Sequence, residues 1–260
     1  QVTNRTDKLF QQIKRLTGKA IGDFKLIEAG DRIAVGVSGG KDSYTLLDML
    51  EALRKKAPIK FELIAVNVDS GFPGYRRDVI EQYLQNHTYP YHLETTEAYQ
   101  IIEEKRRPGS SYCAFCARLR RGVLYTVANR LDCNKIALGH HLDDFIETLL
   151  LNQFYGGTLK AMSPKLLADN KKQTVIRPLV YVEESDIIEY SRLVDYPLVC
   201  CSCPVAAGVD QKRQRMKQLI KELALEIPQL RNSMISALGN VQPRHLLDRR
   251  LKGFAPDSDE

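Results

Sequence analysis

Short apolar runs alternate along this chain with longer segments whose apolar residues recur at helical spacing. Residues 33–37 (IAVGV), 61–68 (FELIAVNV), 89–94 (YPYHLE) and 136–138 read as strands. Residues 1–30 read as a helix, with Leu9, Phe10, Ile13, Leu16, Ala20, Ile21 and Phe24 along one face. Further helices are predicted over 43–56, 79–87 and 143–154. Beyond these, 174–182 (TVIRPLVYV) reads as extended and 184–194 as helical. A basic helix is predicted from Gln211 to about Leu225, and the tail KGFAPDSDE as a polar, frayed end. Apolar strands interleaved with helices predict an α/β fold: a mainly parallel sheet with helices on both faces.

The first strand stops at Ser38-Gly39-Gly40, and Lys41, Asp42 and Ser43 follow at once. Two glycines let the backbone turn sharply and bring N–H groups close to a ligand, while the next helix presents its positive end. In a parallel sheet the crevice at the strands' carboxyl ends is the usual ligand site. The loop is not a Walker P-loop, because position 35 is Val where that pattern needs Gly and Asp42 follows the lysine. The Gly-x-Gly-x-x-Gly dinucleotide pattern is absent as well. A bare Gly-Gly is most simply a tight turn, but the string SGGKDS resembles the loop of the PP-loop ATP pyrophosphatases. That resemblance implies that Ser38, Gly39, Gly40, Lys41, Asp42 and Ser43 bind ATP, which is cut between its α and β phosphates. Lys41 and the serine hydroxyls suit phosphate oxygens. Asp42 would repel phosphate, so it is expected to hold Mg²⁺ or to orient the loop.

A second loop, ALGHHLDDFIET, follows the fourth strand and reaches the same edge. Asp143 there is either a helix N-cap or an active-site carboxylate. His140 and His141 are either loop residues or ligand contacts. The Gly-His-His-x-Asp-Asp string resembles the second block of the PP-loop RNA-modifying enzymes, which implies that Asp143, and with less support His140, lie by the nucleotide. Asp69, at the end of the second strand, reads equally well as a turn residue.

Composition narrows the context. The net charge of +6 is compatible with an anionic partner but does not single one out. No apolar stretch is long enough to span a bilayer, and the polar start lacks an apolar signal core. The expectation is a cytoplasmic protein with no membrane partner. In a reducing compartment, clustered cysteines bind metal or do chemistry more often than they form disulfides. Cys113 and Cys116 form one CxxC pair; Cys200, Cys201 and Cys203 cluster far downstream; Cys133 stands alone and reads as a core residue. A zinc site, a redox dithiol and an iron–sulfur cluster are all open readings of these pairs. The stretch from Lys105 to Leu131 carries seven basic residues (Lys105, Arg106, Arg107, Arg118, Arg120, Arg121 and Arg130) and no acidic one. Such a run either activates thiolates, holds polynucleotide phosphates, or is a solvated helix face.

The segments SGGKDSYTLLDML, CAFCARLRRGVLY, KIALGHHLDDFIETLLLNQFYGG and the later cysteines, taken in this order, resemble the PP-loop tRNA thiolases that make 2-thiocytidine. The resemblance spans roughly residues 5–250. It implies an adenine nucleotide α-hydrolase-like fold and a [4Fe–4S] cluster on three cysteines, with one iron open to carry sulfur. Cys113 and Cys116 match the first two ligands. The family's Pro-Cys-x-x-Cys stretch is Val-Cys-Cys-Ser-Cys-Pro here, so Cys203 is the expected third ligand, with Cys200 and Cys201 as alternatives. The implied reaction adenylates the C2 oxygen of cytidine 32 in the tRNA anticodon loop, with ATP and Mg²⁺, and replaces that oxygen by sulfur. Asp42, Asp143, Cys113 and Cys116 are the expected catalytic residues. A cysteine desulfurase is the implied sulfur source, and a homodimer the implied assembly. The corresponding organisation is an N-terminal helical segment 1–30, a nucleotide-binding and catalytic domain 31–205, and a basic helical segment 206–260. The rival readings are another PP-loop tRNA-modifying enzyme, such as a lysidine-forming ligase or a thiolase with structural zinc, and a non-catalytic RNA-binding module.

Overall fold

The computed structural model describes residues 2–97, 99, 100, 104, 112–168, 171–199 and 211–248. In chain order these form α1 (Val2–Asp23), β1 (Arg32–Gly36), α2 (Lys41–Arg54), β2 (Glu62–Asp69), α3 (Arg77–Asn86) and β3 (Tyr91–Thr95). Then follow α4 (Tyr112–Arg130), β4 (Lys135–Ala137), α5 (Leu142–Gly156), β5 (Lys165–Leu167) and β6 (Thr174–Ile176). The last elements are α6 (Glu184–Leu193), α7 (Gln211–Glu226), α8 (Leu230–Gly239) and a 3₁₀ turn at Pro243–His245.

One sheet has the order β3-β2-β1-β4-β6-β5, parallel except for the antiparallel β5 edge. The strands alternate faces with period two. Ile33, Val35, Leu63 and Ala65 join a core with Leu9, Ile13, Leu46, Leu50, Ile80 and Ile187, which come from α1, α2, α3 and α6. Ala34, Ile64 and Val66 face the other way, against Leu124, Val127 and Ala128 of α4. Both faces are therefore covered, as the apolar runs predict. Each large apolar side chain so buried contributes about 1.5–3 kcal/mol. Cys133 lies in the α4 core at 3% exposure, a packing residue. A third core forms where Met216, Ile220 and Leu230 of the C-terminal helices meet Leu142, Ile146 and Leu150 of α5.

The structure corrects several predicted elements. The first helix ends at Asp23 rather than near residue 30, because Lys25 turns the chain with φ of 47°. The extended reading of 174–182 holds only for Thr174–Ile176. Pro178 cannot donate to a ladder, and the chain turns there, with Val182 N–H on the Leu179 carbonyl at 2.9 Å. Helix α4 was not predicted: among the described residues its buried positions, Leu124, Val127 and Ala128, lie in its second half, and arginines are frequent in the first. The short edge strand β5 and helix α8 were not predicted either.

Candidate active site

The strand order reverses at β1, with β2 on one side and β4 on the other, so a crevice opens between the loops that leave β1 and β4. The first loop is residues 37–40. Gly39 takes φ of 85°, and Gly40 is the N-cap of α2. A Cβ on Gly39 would stand 2.9 Å from the Val199 Cβ and 3.0 Å from the Ile80 Cδ1. Both conformation and packing thus require glycine there. Ser43 is buried and ties the loop: its hydroxyl donates to the Gly40 carbonyl at 2.8 Å and accepts the Ser38 N–H at 3.2 Å. Ser38 is exposed at the mouth. Lys41 and Asp42 occupy the first turn of α2, where the first helical N–H groups lack partners within the helix.

The second loop touches the first, backbone to backbone. A Cβ on Gly139 would lie 3.0 Å from both the carbonyl carbon and the oxygen of Asp42, and 3.2 Å from the Ser43 nitrogen. His141 caps α5; its N–H donates to Asp144 Oδ2 at 3.1 Å. Its buried ring stands among carboxylates, with Nε2 at 3.5 Å from Asp144 Oδ2 and 3.8 Å from Asp42 Oδ1. Two buried atoms in this crevice, Asp42 Oδ1 and His141 Nδ1, have no hydrogen-bond partner among the described residues. Lys41 Nζ is 3.0 Å from Asp42 Oδ1, an ion contact out of line for a hydrogen bond; its aligned bond is to Oδ2 at 3.2 Å. Unsatisfied buried polar atoms mark a place for a ligand or ion.

His140 lies beside this pair. Its Nδ1 accepts from Arg177 at 3.3 Å, and Arg177 also donates to the Ser163 carbonyl at 2.6 Å. Burial, reinforced by the Arg177 charge, pushes the His140 pKa down to about 4, so the ring is neutral at physiological pH. Burial also lowers the Arg177 pKa, and the Arg121 charge on α4 adds to that.

Asp143 is buried, and both its oxygens are engaged. Oδ1 accepts from Arg231 at 2.8 Å, and Oδ2 accepts the Glu184 N–H at 2.7 Å. Glu184, which no motif flagged, carries two lysines: Lys41 on Oε1 at 3.2 Å and Lys217 on Oε2 at 2.5 Å. Burial raises the Glu184 pKa, but the Lys217 hydrogen bond and the Lys41 charge outweigh it and hold the carboxyl at about 2. Burial lowers the Lys41 pKa, and Asp42 and Glu184 more than offset this, leaving it raised. Arg213 contacts Asp144 at 3.1 Å and Glu147 at 3.4 Å. Five carboxylates (Asp42, Asp143, Asp144, Glu147 and Glu184) thus meet four described cations (Lys41, Arg213, Lys217 and Arg231). A polyphosphate entering this crevice needs added positive charge, and the unsatisfied Asp42 Oδ1 is the oxygen to hold it. The donor set fits Mg²⁺, which takes one or two carboxylates plus phosphate oxygens. Asp69 is a turn residue: its Oδ1 accepts the Gly71 N–H at 2.8 Å.

Cys113 and Cys116 lie one turn apart near the start of α4. The Leu131 carbonyl, just past that helix, accepts from Arg32 at the amino end of β1, at 2.9 Å. Leu124 packs over Gly36 at the strand's carboxyl end. Cys116 is eight residues before Leu124, which is about 12 Å of helix, so the cysteine end of α4 projects beyond the carboxyl edge. The downstream cysteines Cys200, Cys201 and Cys203 lie outside the described residues, as do Lys105, Arg106 and Arg107. The segment leading to them starts at the loop itself: the Val199 N–H donates to the Gly39 carbonyl at 3.0 Å. Two cysteines one turn apart fit two positions of a thiolate ligand set for an iron–sulfur cluster.

Comparison with known proteins agrees with this geometry. Residues 6–199 match the family described as a PP-loop domain. The chain is 66% identical over 248 residues to the tRNA-cytidine(32) 2-sulfurtransferase of Syntrophotalea carbinolica, covering 95% of this chain and 96% of that one. It is 63% identical over 243 residues to the protein of the same name from Geobacter sulfurreducens, covering 94% and 95%. Among solved structures, the U34-tRNA thiolase NcsA from Methanococcus maripaludis, with its [4Fe–4S] cluster, superposes with a TM-score of 0.73 at 22% identity, covering 90% of this chain and 79% of that one. At that identity the likeness concerns the fold.

Proposed function

This chain belongs to the tRNA-cytidine(32) 2-sulfurtransferase family, built on a PP-loop domain, and from that membership we infer that it carries out ATP-dependent thiolation of C2 of cytidine 32 in tRNA. One observation supports the reading most directly. The SGGKDS loop is hydrogen-bonded to the segment that leads into Cys200–Cys203, at the edge over which the Cys113 end of α4 projects. This supports the reading that nucleotide chemistry and thiolate chemistry share one mouth.

In the reaction, the C2 oxygen of the base bonds to the α-phosphorus of ATP and the bond to the bridging oxygen breaks, releasing pyrophosphate. A sulfur nucleophile then bonds to C2, the C2–O bond breaks, and its electron pair leaves with AMP. Lys41, Ser38 and the amides of Gly39 and Gly40 bind the departing phosphates at the start of α2. Ser43 fixes the loop in shape. Asp42 would hold Mg²⁺, which supplies charge neutralisation. Asp143 acts at one remove, by fixing the backbone of Glu184, whose carboxylate aims Lys41. His140, neutral, lines the crevice without adding charge. Cys113, Cys116 and Cys203 would hold the [4Fe–4S] cluster, which supplies the sulfur; a cysteine desulfurase is the proposed upstream donor.

The base must be splayed out of the anticodon loop to present C2. Phe154 and Tyr155 at the end of α5 are 58% and 51% exposed, and Lys212 of α7 lies 4.7 Å over the Tyr155 ring. This pair offers a stacking surface for unpaired bases. Arg118, Arg121, Lys212, Arg215 and Lys221 are exposed and suit the RNA backbone.

The test is mass analysis of tRNA nucleosides from cells lacking the protein. Loss of 2-thiocytidine, restored by the intact chain but not by Cys113→Ser, is expected; unchanged 2-thiocytidine would overturn the reading. Protein purified without oxygen is expected to be brown. A colourless protein with stoichiometric zinc would replace the cluster by a structural metal.

A further inference from the structure

The loop lysine is not alone. Lys217 stands on α7, beyond the stretch that matches the PP-loop family. Its Nζ sits 2.5 Å from Glu184 Oε2, while Lys41 Nζ sits 3.2 Å from Oε1 of the same carboxylate. One acid thus holds two ammonium groups side by side at the end of the glycine loop. The acid itself is fixed: its side chain is 15% exposed, and its N–H is tied to Asp143 Oδ2 at 2.7 Å. Asp143 is in turn tied to Arg231 of α8. One turn before Lys217, Arg213 pairs with Asp144 and Glu147. Met216 and Ile220 bury the helix between these contacts against α5. The inner face of α7 is therefore part of the wall of the crevice and presents its cations to the site's acids. The basic helix divides by face, with Lys212, Arg215 and Lys221 turned to solvent.

We propose that Lys217 is a second phosphate-binding cation of the nucleotide site, supplied by the C-terminal helices and held ready beside Lys41 by Glu184. The proposal rests on the reading that this crevice binds ATP. Lys217 remains 41% exposed at its side chain, so its ammonium can turn from Glu184 to a β- or γ-phosphate oxygen without being dug out of the core. A lysine near a polyphosphate acts as a mobile point charge, and Glu184 keeps that charge at the mouth while the site is empty. The ligand class is set by the same geometry. Two ammonium groups and a loop of amides suit a polyphosphate, whereas AMP, whose phosphate is the one left behind, has less need of the second cation.

The experiment is calorimetric titration of the full-length protein with ATP, pyrophosphate and AMP, for wild type, Lys217→Met and Lys217→Arg. Loss of one charge-assisted contact is expected to weaken ATP and pyrophosphate about tenfold or more, with AMP within about twofold and tRNA affinity unchanged. Lys217→Arg, which keeps the charge, is expected to restore most of the loss. Equal weakening of AMP and ATP would make Lys217 a structural residue and overturn the proposal. Weakened tRNA binding with ATP intact would make it an RNA contact and overturn it as well. A wild type that binds neither ATP nor pyrophosphate would instead overturn the nucleotide-site reading on which the proposal stands.

Discussion

Gly139 has no side chain, and that lack sets how closely the two loops of the site approach. The backbone of Asp42 occupies the space a Cβ would need. Gly139→Ala must push the α2 start away from the His141 loop, and is expected to cost about 1–3 kcal/mol and to weaken ATP binding. The opposite sign is expected for Gly122→Ala. That glycine lies inside α4 with open space around it, and alanine there should add about 0.5–1 kcal/mol. Denaturant midpoints of the two variants check both. Two other residues set the acid response. The His140 pKa is about 4 in the fold against an ordinary 6.5, so the unfolded chain takes up a proton that the folded one refuses. Stability should therefore fall as pH drops from 6.5 towards 4 and then level off for this group. Glu184 is ionised down to about 2 against an ordinary 4.5. Its contribution is present above 4.5 and is lost between 4.5 and 2. In denaturant series across pH, His140→Gln is expected to flatten only the upper window and Glu184→Gln only the lower. His140 was legible from the GHHLDD string; Glu184 was not, because a glutamate opening an ordinary helix gains its meaning only from the two lysines the fold brings to it.

At the scale of elements, α7 shows what charge in a sequence conveys and what it withholds. The run QKRQRMKQLIK reads as a basic helix, and it is one. The sequence alone does not say which of its cations face solvent. The structure splits it, because Met216 and Ile220 fix which side is buried and thereby turn Arg213 and Lys217 inward. Only the outward cations remain for RNA. The salt dependence of tRNA binding should reflect this. The slope of log affinity against log salt should fall by about one on removing Lys221 or Arg215, and stay unchanged in Lys217→Met. Filter binding across a salt series measures it. Strands β1 to β4, by contrast, were legible to within about two residues at each end, because each apolar run is bounded by polar or turn residues; β6 was read too long and the edge strand β5 was missed. Helix α4 was hidden for the converse reason: three arginines, Arg118, Arg120 and Arg121, crowd its first half in the sequence, so its apolar period is faint there.

For the whole molecule, the two edges of the sheet do different work. At the amino edge, Lys135 is 5% exposed at its side chain and is locked by Asp31 at 2.7 Å and Glu28 at 2.9 Å, a closed ion cluster. At the carboxyl edge the charges are linked in a chain that ends in unsatisfied atoms, and the matched PP-loop strings lie there. The strings gave the family and the mouth of the site. They did not give the C-terminal helices, which join that mouth through ion pairs distant in sequence. One contact at this edge has a particular permanence. The bond from the Val199 amide to the Gly39 carbonyl is made of main chain alone. Of the twenty residues only proline at 199 would remove the donor, whereas residue 39 must stay glycine, because any Cβ there would meet Val199 itself. The link between the SGGKDS loop and the segment that ends at Val199 is thus written in the main chain itself, open to most exchanges at 199 and closed to any at 39.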